Sequence, residues 1–381
     1  MAKIYLDNGA STKVDEEVAK ETEKYLTTIY GNASSNHDFG EEACEALERS
    51  RIAIAKALNA DPEEIVFTSG GTESNNLALK GVAFANRNKG NHIITTKTEH
   101  DCILNSCEWL EKQGFKVTYL DVDEYGFVSL KDIKDSINDK TILVSVIHGN
   151  NEIGAINNLE EIGRICKSKN VYFHTDACQS FTKVLIDTKK LDIDLITINS
   201  HKIHGPKGVG ALYIKKGTKI ETWQHGGGHE KGKRSGTENI PGVVGFAKAV
   251  ELTNKSDIEK IKKLRDKLIN NLLKIEGTKL NGHREKRLVN NVNISFKGVD
   301  GEILLEKLNE NGIASSTGSA CSAKKAEPSH VLKAIGLNFD EYPGTIRLTL
   351  SKFTTDEEIN YTINVLNRLI KELRGRKDEG C

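Results

Sequence analysis

The sequence predicts an α/β protein with a large domain, built on a mainly parallel seven-stranded sheet flanked by helices, and a smaller α+β domain. Two observations lead to this prediction. Between Ile65 and Ile214, short runs rich in β-branched residues alternate with helical segments, which is the βαβα pattern of a parallel sheet. After Pro241 the alternation gives way to long helices and separate strands. We therefore expect a large domain of residues 15–250 and a small domain of residues 1–14 and 251–381.

Element by element, the chain begins with a short strand at Ile4–Asn8 and a helix from about Asp15 to Leu26. A second helix, Phe39 to Leu58, ends where Asn59 and the Asp61-Pro62 pair stop it. The strands predicted for the sheet are Ile65–Thr68, His92–Thr95, Lys116–Leu120, Ile142–Ile147, Val171–Asp176, Leu195–Asn199 and Val209–Ile214. The predicted helices between them run from Gly70 to about Asn88, His100 to Lys112, Ser129 to Asn138, and Leu159 to Lys167.

The small domain is predicted from a long helix near Asp257 to Ile275, whose apolar residues recur at helical spacing. A strand at Val292–Phe296 and a helix at Glu302–Asn309 follow it. The predictions then continue with a run at Ile313–Thr317, a strand at Thr345–Leu350 and a final amphipathic helix. The charged stretch from Lys371 to Cys381 is expected to fray.

Composition excludes several classes of function. Lys plus Arg equals Asp plus Glu, 54 each, so nothing indicates a nucleic-acid or strongly acidic partner. The chain has no apolar run long enough for a membrane helix and no signal peptide, so we expect a cytoplasmic protein without a membrane partner. The seven cysteines include no CxxC pair. This pattern predicts reduced thiols, and neither a zinc site nor a disulfide framework.

Lys202 is the first candidate for chemistry, because it follows the strand Leu195–Asn199 and precedes a Gly205-Pro206 turn. Desolvation at a strand end favours the neutral amine, which can condense with an aldehyde. Taken alone, it is more simply explained as a surface lysine beside a turn, and the other signals in the chain reverse that interpretation.

Three further signals lie at the ends of predicted strands. The adjacent glycines of Ser69–Ser74 can turn backbone N–H groups toward one phosphate at a helix start, although the loop could also be an ordinary capped helix. It is neither GxGxxG nor a Walker loop, which disfavours nucleotides. His100 can stack on a flat ring or move a proton, or simply cap a helix. Asp176 ends a buried strand and needs a partner, which could be a cationic ring nitrogen or a helix start.

Together these residues indicate pyridoxal 5'-phosphate, a flat ring bearing a phosphate, a pyridine nitrogen and an aldehyde. The Asp176 carboxylate would keep the ring nitrogen protonated. A fifth signal comes from the small domain, where Cys321 lies among small residues in a segment predicted to be exposed and mobile. An ordinary thiol is only a few per cent ionised at neutral pH, so this cysteine needs help from its surroundings to act as a nucleophile.

The chain resembles the NifS/IscS-type cysteine desulfurases in motifs that run nearly from end to end. These motifs are Leu6-Asp-Asn-Gly-Ala-Ser11, Phe67-Thr-Ser-Gly-Gly-Thr-Glu-Ser74, Thr98-Glu-His100, Asn150-Asn-Glu-Ile-Gly154, His174-Thr-Asp-Ala-Cys-Gln179, Ser200-His-Lys-Ile-His-Gly-Pro-Lys-Gly208, Gly226-Gly-Gly-His-Glu230, Arg234-Ser-Gly-Thr237, Ser319-Ala-Cys321 and Glu327-Pro-Ser-His330. The resemblance implies the fold-type-I aminotransferase architecture, class V branch, and a homodimer with sites shared across the interface. It also implies L-cysteine as substrate and an iron–sulfur scaffold or other sulfur-acceptor protein as partner.

The resemblance also implies roles for the site residues. Lys202 would bind pyridoxal phosphate covalently and move the substrate α-proton. Asp176 would pair with the ring nitrogen, Gln179 would pair with the ring hydroxyl, and His100 would stack on the ring. The Cys321 thiolate would attack the substrate sulfur, which releases alanine and leaves a persulfide for iron–sulfur assembly or thiolation. No resident metal is implied, although Cys321 could act as a transient cluster ligand.

The implied binding residues fall into two groups. The substrate carboxylate would be held by Arg347 and Asn151, which also belongs to the cofactor pocket, with assistance from Asn32. Without the resemblance, Arg347 reads as a strand arginine in a surface ion pair. The residues implied for the cofactor phosphate are Gly71, Thr72, Ser200 and His201, with Thr237 of the neighbouring subunit and Arg234.

The sequence departs from the common family pattern at Asn8-Gly9, at Cys178 and at Glu341–Gly344, where Pro343 precedes Arg347. The chain also ends soon after the last helix, which leaves scaffold docking open. Two other hypotheses remain at this point. One is a different pyridoxal phosphate enzyme of the same fold, such as an aminotransferase or a selenocysteine lyase, and the Cys321 segment argues against the first of these. The other is a non-catalytic binding protein, and the presence of every implied catalytic residue argues against it.

Overall fold

The structure of the protein is a computed structural model that describes residues 3–317 and 329–378, with side chains described as far as Gly375. The strands are β1 (Ile4–Tyr5), β2 (Ile65–Thr68), β3 (His92–Thr96), β4 (Lys116–Leu120), β5 (Thr141–Ser145), β6 (Tyr172–Asp176), β7 (Leu195–Asn199), β8 (Gly210–Ile214), β9 (Thr278–Leu280), β10 (Asn291–Phe296), β11 (Ile313–Ala314) and β12 (Gly344–Thr349). The helices are α1 (Glu16–Thr27), α2 (Asp38–Leu58), α3 (Gly71–Ala85), α4 (Asp101–Lys112), α5 (Leu130–Ser136), α6 (Leu159–Ser168), α7 (Ile240–Glu251), α8 (Lys255–Leu272), α9 (Gly301–Glu310), α10 (His330–Ala334) and α11 (Asp356–Asp378).

The main sheet has seven strands in the order β2-β8-β7-β6-β5-β3-β4. Every neighbouring pair is parallel except those that involve β8, which runs antiparallel to β2 and β7. Strands β3, β5, β7 and β8 are buried along their whole length, because helices cover both faces of the sheet. The predicted mainly parallel sheet is confirmed, and the carboxyl ends of β2, β3, β6 and β7 meet at one edge.

A second apolar core lies on the smaller sheet, whose order is β12-β10-β9 and whose pairs are antiparallel. Side chains from α8, α9 and α11 pack there, together with Ile4 and Leu6 from the N-terminus. The N-terminus reaches this core because β1 pairs in parallel with β11. This arrangement supports our proposal that residues 1–14 belong with 251–381, and the domain boundaries stay a prediction.

Four elements differ from the sequence-based expectation. Helix α7 was not predicted, because Pro241 indicates a helix break. The proline stands in the first turn of α7, where its missing N–H is not needed, and the Asn239 side chain caps the helix by accepting from Gly242 N. The short elements β9 and α10 were also missed. The expected fraying from Lys371 is wrong up to Asp378, because Arg374 holds the last turns of α11 through the carbonyls of Glu276 and Lys297. Among the described residues, no helix is long and apolar enough to cross a membrane.

A buried ion pair fixes the loop that follows β8. Glu230 accepts hydrogen bonds from Arg51 Nη1 at 2.7 Å, Arg51 Nη2 at 2.9 Å and Phe67 N at 2.8 Å. The side chains of Arg51 and Glu230 are 4% and 3% exposed. Burial alone would lower the pKa of Arg51, but the Glu230 carboxylate raises it. Glu230 also has a left-handed backbone with φ of 48°, so the pair holds a strained turn in place.

Replacing Glu230 by alanine leaves a buried guanidinium without its carboxylate, which typically costs about 3–5 kcal/mol. We expect Glu230→Ala to lower the midpoint of thermal unfolding by roughly 5–10 °C, measured by circular dichroism. The matched control is Glu160→Ala, which removes the exposed ion pair with Arg164. That change should shift the midpoint by less than about 2 °C. Equal shifts in both variants would contradict the structural role of the buried pair.

Candidate active site

The carboxyl ends of the parallel strands enclose a cavity of about 270 Å³. Most of the predicted site residues converge here, although they come from distant parts of the sequence. Its lining comprises Gly9, Ala10, Gly71, Thr72, Asn75, His100, Cys102, Ile147, Asn151, Asp176, Cys178, Gln179, Asn199, His201, Lys202 and Arg347.

Lys202 reaches the cavity from the turn that follows β7. Its Nζ donates to the carbonyl of Ala10 at 2.7 Å and to that of Gly9. The turn is tight at Gly205, where a Cβ would lie 1.9 Å from Ser200 Oγ. The backbone therefore fixes where the Lys202 side chain starts, and the amine lies against the N-terminal segment.

Asp176 ends β6 with its carboxylate at the cavity wall. It accepts from Asn75 Nδ2 at 2.7 Å and from Cys178 N at 2.9 Å. The residue is 5% exposed, and these bonds satisfy both oxygens from the protein side. The sequence did not single out Asn75. A polar residue on the buried face of α3, next to Leu77 and Ala78, was the available signal.

The start of α3 offers an open set of backbone donors. No side chain caps its N-cap residue, Gly70, whose φ of 150° and ψ of −175° suit only glycine. A Cβ on Gly71 would lie 2.6 Å from Cys178 Sγ, so the backbone approaches the wall closely. The free N–H groups of this turn can bind an anion together with Thr72.

The next two predicted residues follow β7, and only His201 lines the cavity. Ser200 Oγ is buried and has no partner in the described part of the chain, so its predicted contact with a phosphate stays a prediction. Burial, with Lys202 and Lys207 nearby, lowers the pKa of His201 to about 4, so its imidazole is neutral at neutral pH. The His201 ring can therefore act as a hydrogen-bond partner for a phosphate.

Arg234 and Thr237 do not line the main cavity. Arg234 Nε donates to Glu73 Oε1 at 2.7 Å, at the start of α3. Burial would raise the pKa of Glu73, but its bonds with Arg234 and Ser69 lower it overall. Thr237 lies in an adjoining cavity with Arg234 and Ser69. The predicted reach of Thr237 into a neighbouring subunit stays a prediction.

His100 fits both roles considered for it, a helix cap and a ring at the site of chemistry. It is the N-cap of α4, where its Nδ1 accepts from Cys102 N at 3.2 Å, and its ring lines the cavity. Because Nδ1 accepts a backbone hydrogen bond, a neutral His100 carries its proton on Nε2. The cap therefore holds the ring at the wall with one tautomer.

Arg347 is not the surface arginine that β12 alone would predict, because its side chain is 2% exposed. Nη1 donates to the Asn151 carbonyl at 2.9 Å and Nη2 to Asp7 Oδ1 at 3.0 Å. Nε of Arg347 and Oδ1 of Asn151 have no partner among residues 3–317 and 329–378. Both atoms are buried, and Arg347 itself lines the cavity, where a guanidinium suits a carboxylate ligand. Asn32 is not part of the lining, and its Oδ1 accepts from Ser34 N in its own loop.

Cys321 lies outside the described residues, but both described flanks of its segment attach to the cavity wall. Ser316 forms backbone hydrogen bonds with Arg347 in both directions. Ser329 Oγ donates to Glu152 Oε2 at 2.5 Å, one residue after Asn151. Of the two cysteines that line the cavity itself, Cys178 is buried and Cys102 is half-buried. Burial, and then the Asp176 charge, raises the pKa of Cys102 to about 12 and that of Cys178 well above its usual value.

The residues present fit pyridoxal phosphate. An uncapped helix start with Thr72 and the neutral His201 ring suits a phosphate, and the Asp176 carboxylate at the wall suits a cationic ring nitrogen. Gln179 Nε2 donates to Gly9 O at 2.9 Å, which leaves its amide oxygen at the same wall. Among the described residues, no cluster of three or more potential metal ligands occurs.

Glu99 is a further buried group beside His100. Its Oε1 accepts from Thr96 Oγ1 and from Ile147 N, both at 2.8 Å, while Oε2 has no partner within the described ranges. Burial raises the pKa of Glu99 to about 8 against these hydrogen bonds. At neutral pH the carboxyl is therefore mostly protonated and adds no second negative charge near Asp176.

Comparisons with known proteins agree with this geometry. Residues 4–362 match the family model described as aminotransferase class-V. The chain is 51% identical over 378 residues to the cysteine desulfurase IscS of Clostridium botulinum strain Hall, covering 98% of this chain and 95% of that protein. A solved NifS-like protein superposes with a TM-score of 0.91 at 38% identity, covering 97% of this chain and 100% of that one. The structure of SspA in complex with cysteine superposes with a TM-score of 0.83 at 36% identity, covering 92% and 100%.

The Glu99 carboxyl generates a pH-dependent prediction. The folded protein keeps its proton up to about pH 8, whereas the unfolded chain releases it near a pKa of about 4.3. The stability that the protonated form provides is complete below that lower value and is lost as pH rises toward 8. Glu99→Gln mimics the protonated form. We expect the midpoint of thermal unfolding of Glu99→Gln to rise relative to that of the unmodified protein between pH 5 and pH 8. Above pH 8 the difference between the two midpoints should stay constant.

The control is Glu124→Gln, at an exposed position. Its midpoint should follow the unmodified protein at every pH. A difference between Glu99→Gln and the unmodified protein that does not change with pH would refute the raised pKa.

Proposed function

This chain belongs to the class-V aminotransferase family and is a cysteine desulfurase, and from that premise we propose that it uses pyridoxal 5'-phosphate to remove sulfur from L-cysteine. The products would be L-alanine and a persulfide on Cys321. The observation that carries this proposal is the convergence of Lys202, Asp176 and the start of α3 on one cavity. The similar SspA protein has been solved with cysteine, which supports the same substrate here.

The cofactor, when bound, supplies an electron-accepting ring for the charge that develops on the substrate α-carbon. Lys202 would hold it covalently, and the anion site at Gly71 and Thr72, with Ser200 and His201, would hold its phosphate. Asp176 keeps its orientation through Asn75 and the Cys178 N–H, so its charge is fixed where a ring nitrogen needs it. Gln179 and His100 would complete the ring contacts.

Lys202 and His100 are the two groups at the wall that would hold or move a proton. The Lys202 amine would take the substrate α-proton, since it reaches the cavity from the turn after β7 and an amine can act as a general base. His100 carries its ring proton on Nε2, because Nδ1 is held by the α4 cap. It would therefore donate a hydrogen bond to a group in the cavity through that nitrogen.

The substrate carboxylate would bind at Arg347 and Asn151. The guanidinium is held by Asp7 and by the Asn151 carbonyl, and because Arg347 lines the cavity its positive charge would attract the incoming carboxylate. Asn32 is predicted to assist, but it does not line this cavity, so its side chain would have to reach the substrate from outside the cavity.

Cys321 would supply the attacking thiolate. A bond forms between its sulfur and the substrate sulfur, the bond between that sulfur and the substrate β-carbon breaks, and the β-carbon takes up a proton to become the methyl group of alanine. Cys321 follows Ser316 by five positions in the sequence. Because a chain extends at most about 3.3–3.6 Å per residue, those five residues can span at most about 18 Å from Ser316. The thiols of Cys102 and Cys178 are poor rivals, because burial keeps them protonated.

The remaining assignments are also proposals. We propose a homodimer in which Thr237 and Arg234 approach the neighbouring subunit's phosphate site. The persulfide sulfur would pass to an iron–sulfur scaffold or to a thiolation pathway. A cytoplasmic location stays a prediction from the sequence.

The experiment that tests this function replaces the proposed nucleophile. Cys321→Ser should keep the visible absorbance of the bound cofactor but form alanine from cysteine at least about 100-fold more slowly. The control is Cys44→Ser, which changes an exposed cysteine and should leave alanine formation unchanged. Peptide mass analysis after a brief incubation with cysteine should place the extra sulfur on Cys321.

Two outcomes would overturn the proposal. One is full alanine formation in Cys321→Ser, and the other is an extra sulfur on Cys102 or Cys178 instead. Turnover that depends on pyruvate and does not need Cys321 would favour an aminotransferase.

A further inference from the structure

We propose that Asp7 is a positioning residue that holds Arg347 in place for the substrate and, through its negative charge, limits how tightly the site binds carboxylates. This inference rests on the proposed role of Arg347 in substrate binding and extends it to product release. L-Cysteine and L-alanine carry the same carboxylate. A site that binds this group too tightly would retain its product.

The position of Asp7 is fixed by the turn that it begins. Its carbonyl accepts from Ala10 N at 3.0 Å. Asn8 Nδ2 donates to the Thr349 carbonyl at 2.7 Å, and Gly9 N donates to Thr349 Oγ1 at 2.6 Å. Asp7 also forms a parallel bridge with Thr349, two residues from Arg347 on β12. The carboxylate and the guanidinium are therefore attached to the same strand and keep their separation.

Space as well as charge shapes this contact. A Cβ at Gly9 would lie 3.3 Å from Arg347 Cζ and 3.1 Å from Thr349 Cγ2, tighter than ordinary van der Waals contacts. The turn thus lies directly against the guanidinium. Nη2 donates one hydrogen bond to Asp7 Oδ1 and Nη1 donates one to the Asn151 carbonyl, which fixes the plane of the guanidinium.

The consequence for a ligand follows from Coulomb's law. A substrate carboxylate bound where Arg347 lines the cavity would share one guanidinium with the Asp7 carboxylate. Two carboxylates several ångströms apart repel each other, and this repulsion lowers the affinity of the site for the substrate carboxylate. Glu152 does not take over this role, because its Oε2 accepts from Ser329 and burial raises its pKa. Asp7 is therefore the charge that sets the affinity.

The test separates the charge of Asp7 from its hydrogen bond. Asp7→Asn keeps an oxygen that accepts from Arg347 but removes the charge, and Asp7→Ala removes both. Calorimetric titration of each purified holoenzyme with L-alanine measures the affinity without turnover. We expect Asp7→Asn to bind L-alanine about tenfold more tightly than the unmodified protein, and Asp7→Ala to bind it at least about threefold more weakly than Asp7→Asn. L-Alaninamide, which lacks the carboxylate, should bind the unmodified protein and Asp7→Asn equally.

A matched control removes a similar carboxylate elsewhere. Asp15 pairs with Lys352 at 2.6 Å, also between the N-terminal segment and the chain after β12, and its side chain is 14% exposed against 19% for Asp7. Asp15→Asn should change the affinity for L-alanine by less than about twofold. Thermal midpoints of all variants establish that each is folded.

Unchanged or weaker L-alanine binding by Asp7→Asn would overturn the inference, as would tighter binding of L-alaninamide to the same degree. Arg347→Gln distinguishes this failure from that of the proposed function. It should weaken L-alanine binding at least about tenfold. If Arg347→Gln binds L-alanine normally, the role of Arg347 itself is wrong, and the inference about Asp7 falls with it.

Discussion

The turn at Asp7–Ala10 holds the two halves of the site together. Its carbonyls at Gly9 and Ala10 accept from Lys202 Nζ, and the Gly9 carbonyl also accepts from Gln179 Nε2. The Asp7 carboxylate accepts from Arg347 on the opposite side. The amine proposed for the cofactor and the guanidinium proposed for the substrate are therefore positioned by the same four residues. These residues belong to neither element that carries those groups, so the geometry of the cavity depends on how the N-terminus packs against β12.

Few groups around the cavity carry a charge, because burial shifts the pKa values of several others toward their neutral forms. The Glu99 carboxyl, the Cys102 thiol and the His201 imidazole each have a pKa shifted by burial toward the neutral form. Lys183 follows the same rule, since burial and the nearby Lys202 lower its pKa to about 7, and its Nζ donates to two backbone carbonyls. With the Glu99, Cys102 and His201 side chains largely neutral and Lys183 only partly charged at neutral pH, the electrostatics of the site are set mainly by Asp176, Lys202 and Arg347 with its partner Asp7.

The sequence predicts the sheet well, because strands buried on both faces appear as continuous β-branched runs such as those before Thr68 and Asn199. Polar residues at the ends of those runs then identify the cavity, since parallel strands bring them to one edge. Partners formed by tertiary contact were not predictable in this way. The Asn75 amide meets Asp176 across 101 positions of sequence, and Asp7 meets Arg347 across 340. Helix α7 was not predicted for a local reason: a proline disrupts the interior of a helix but is compatible with its first turn, and the sequence alone does not distinguish the two positions.

The attachments of Ser316 to Arg347 and of Ser329 to Glu152 bear on the length of the sequence between them. Both lie on one connected patch, since Arg347 donates to the carbonyl of Asn151, the neighbour of Glu152. Closing a connection between two fixed points becomes only about 0.6 kcal/mol more costly with each doubling of its length. A change in the number of residues between these two anchors therefore adds little chain entropy to the cost of folding. The two attachment points, and with them the cavity wall, do not depend on a fixed length of the sequence that joins them.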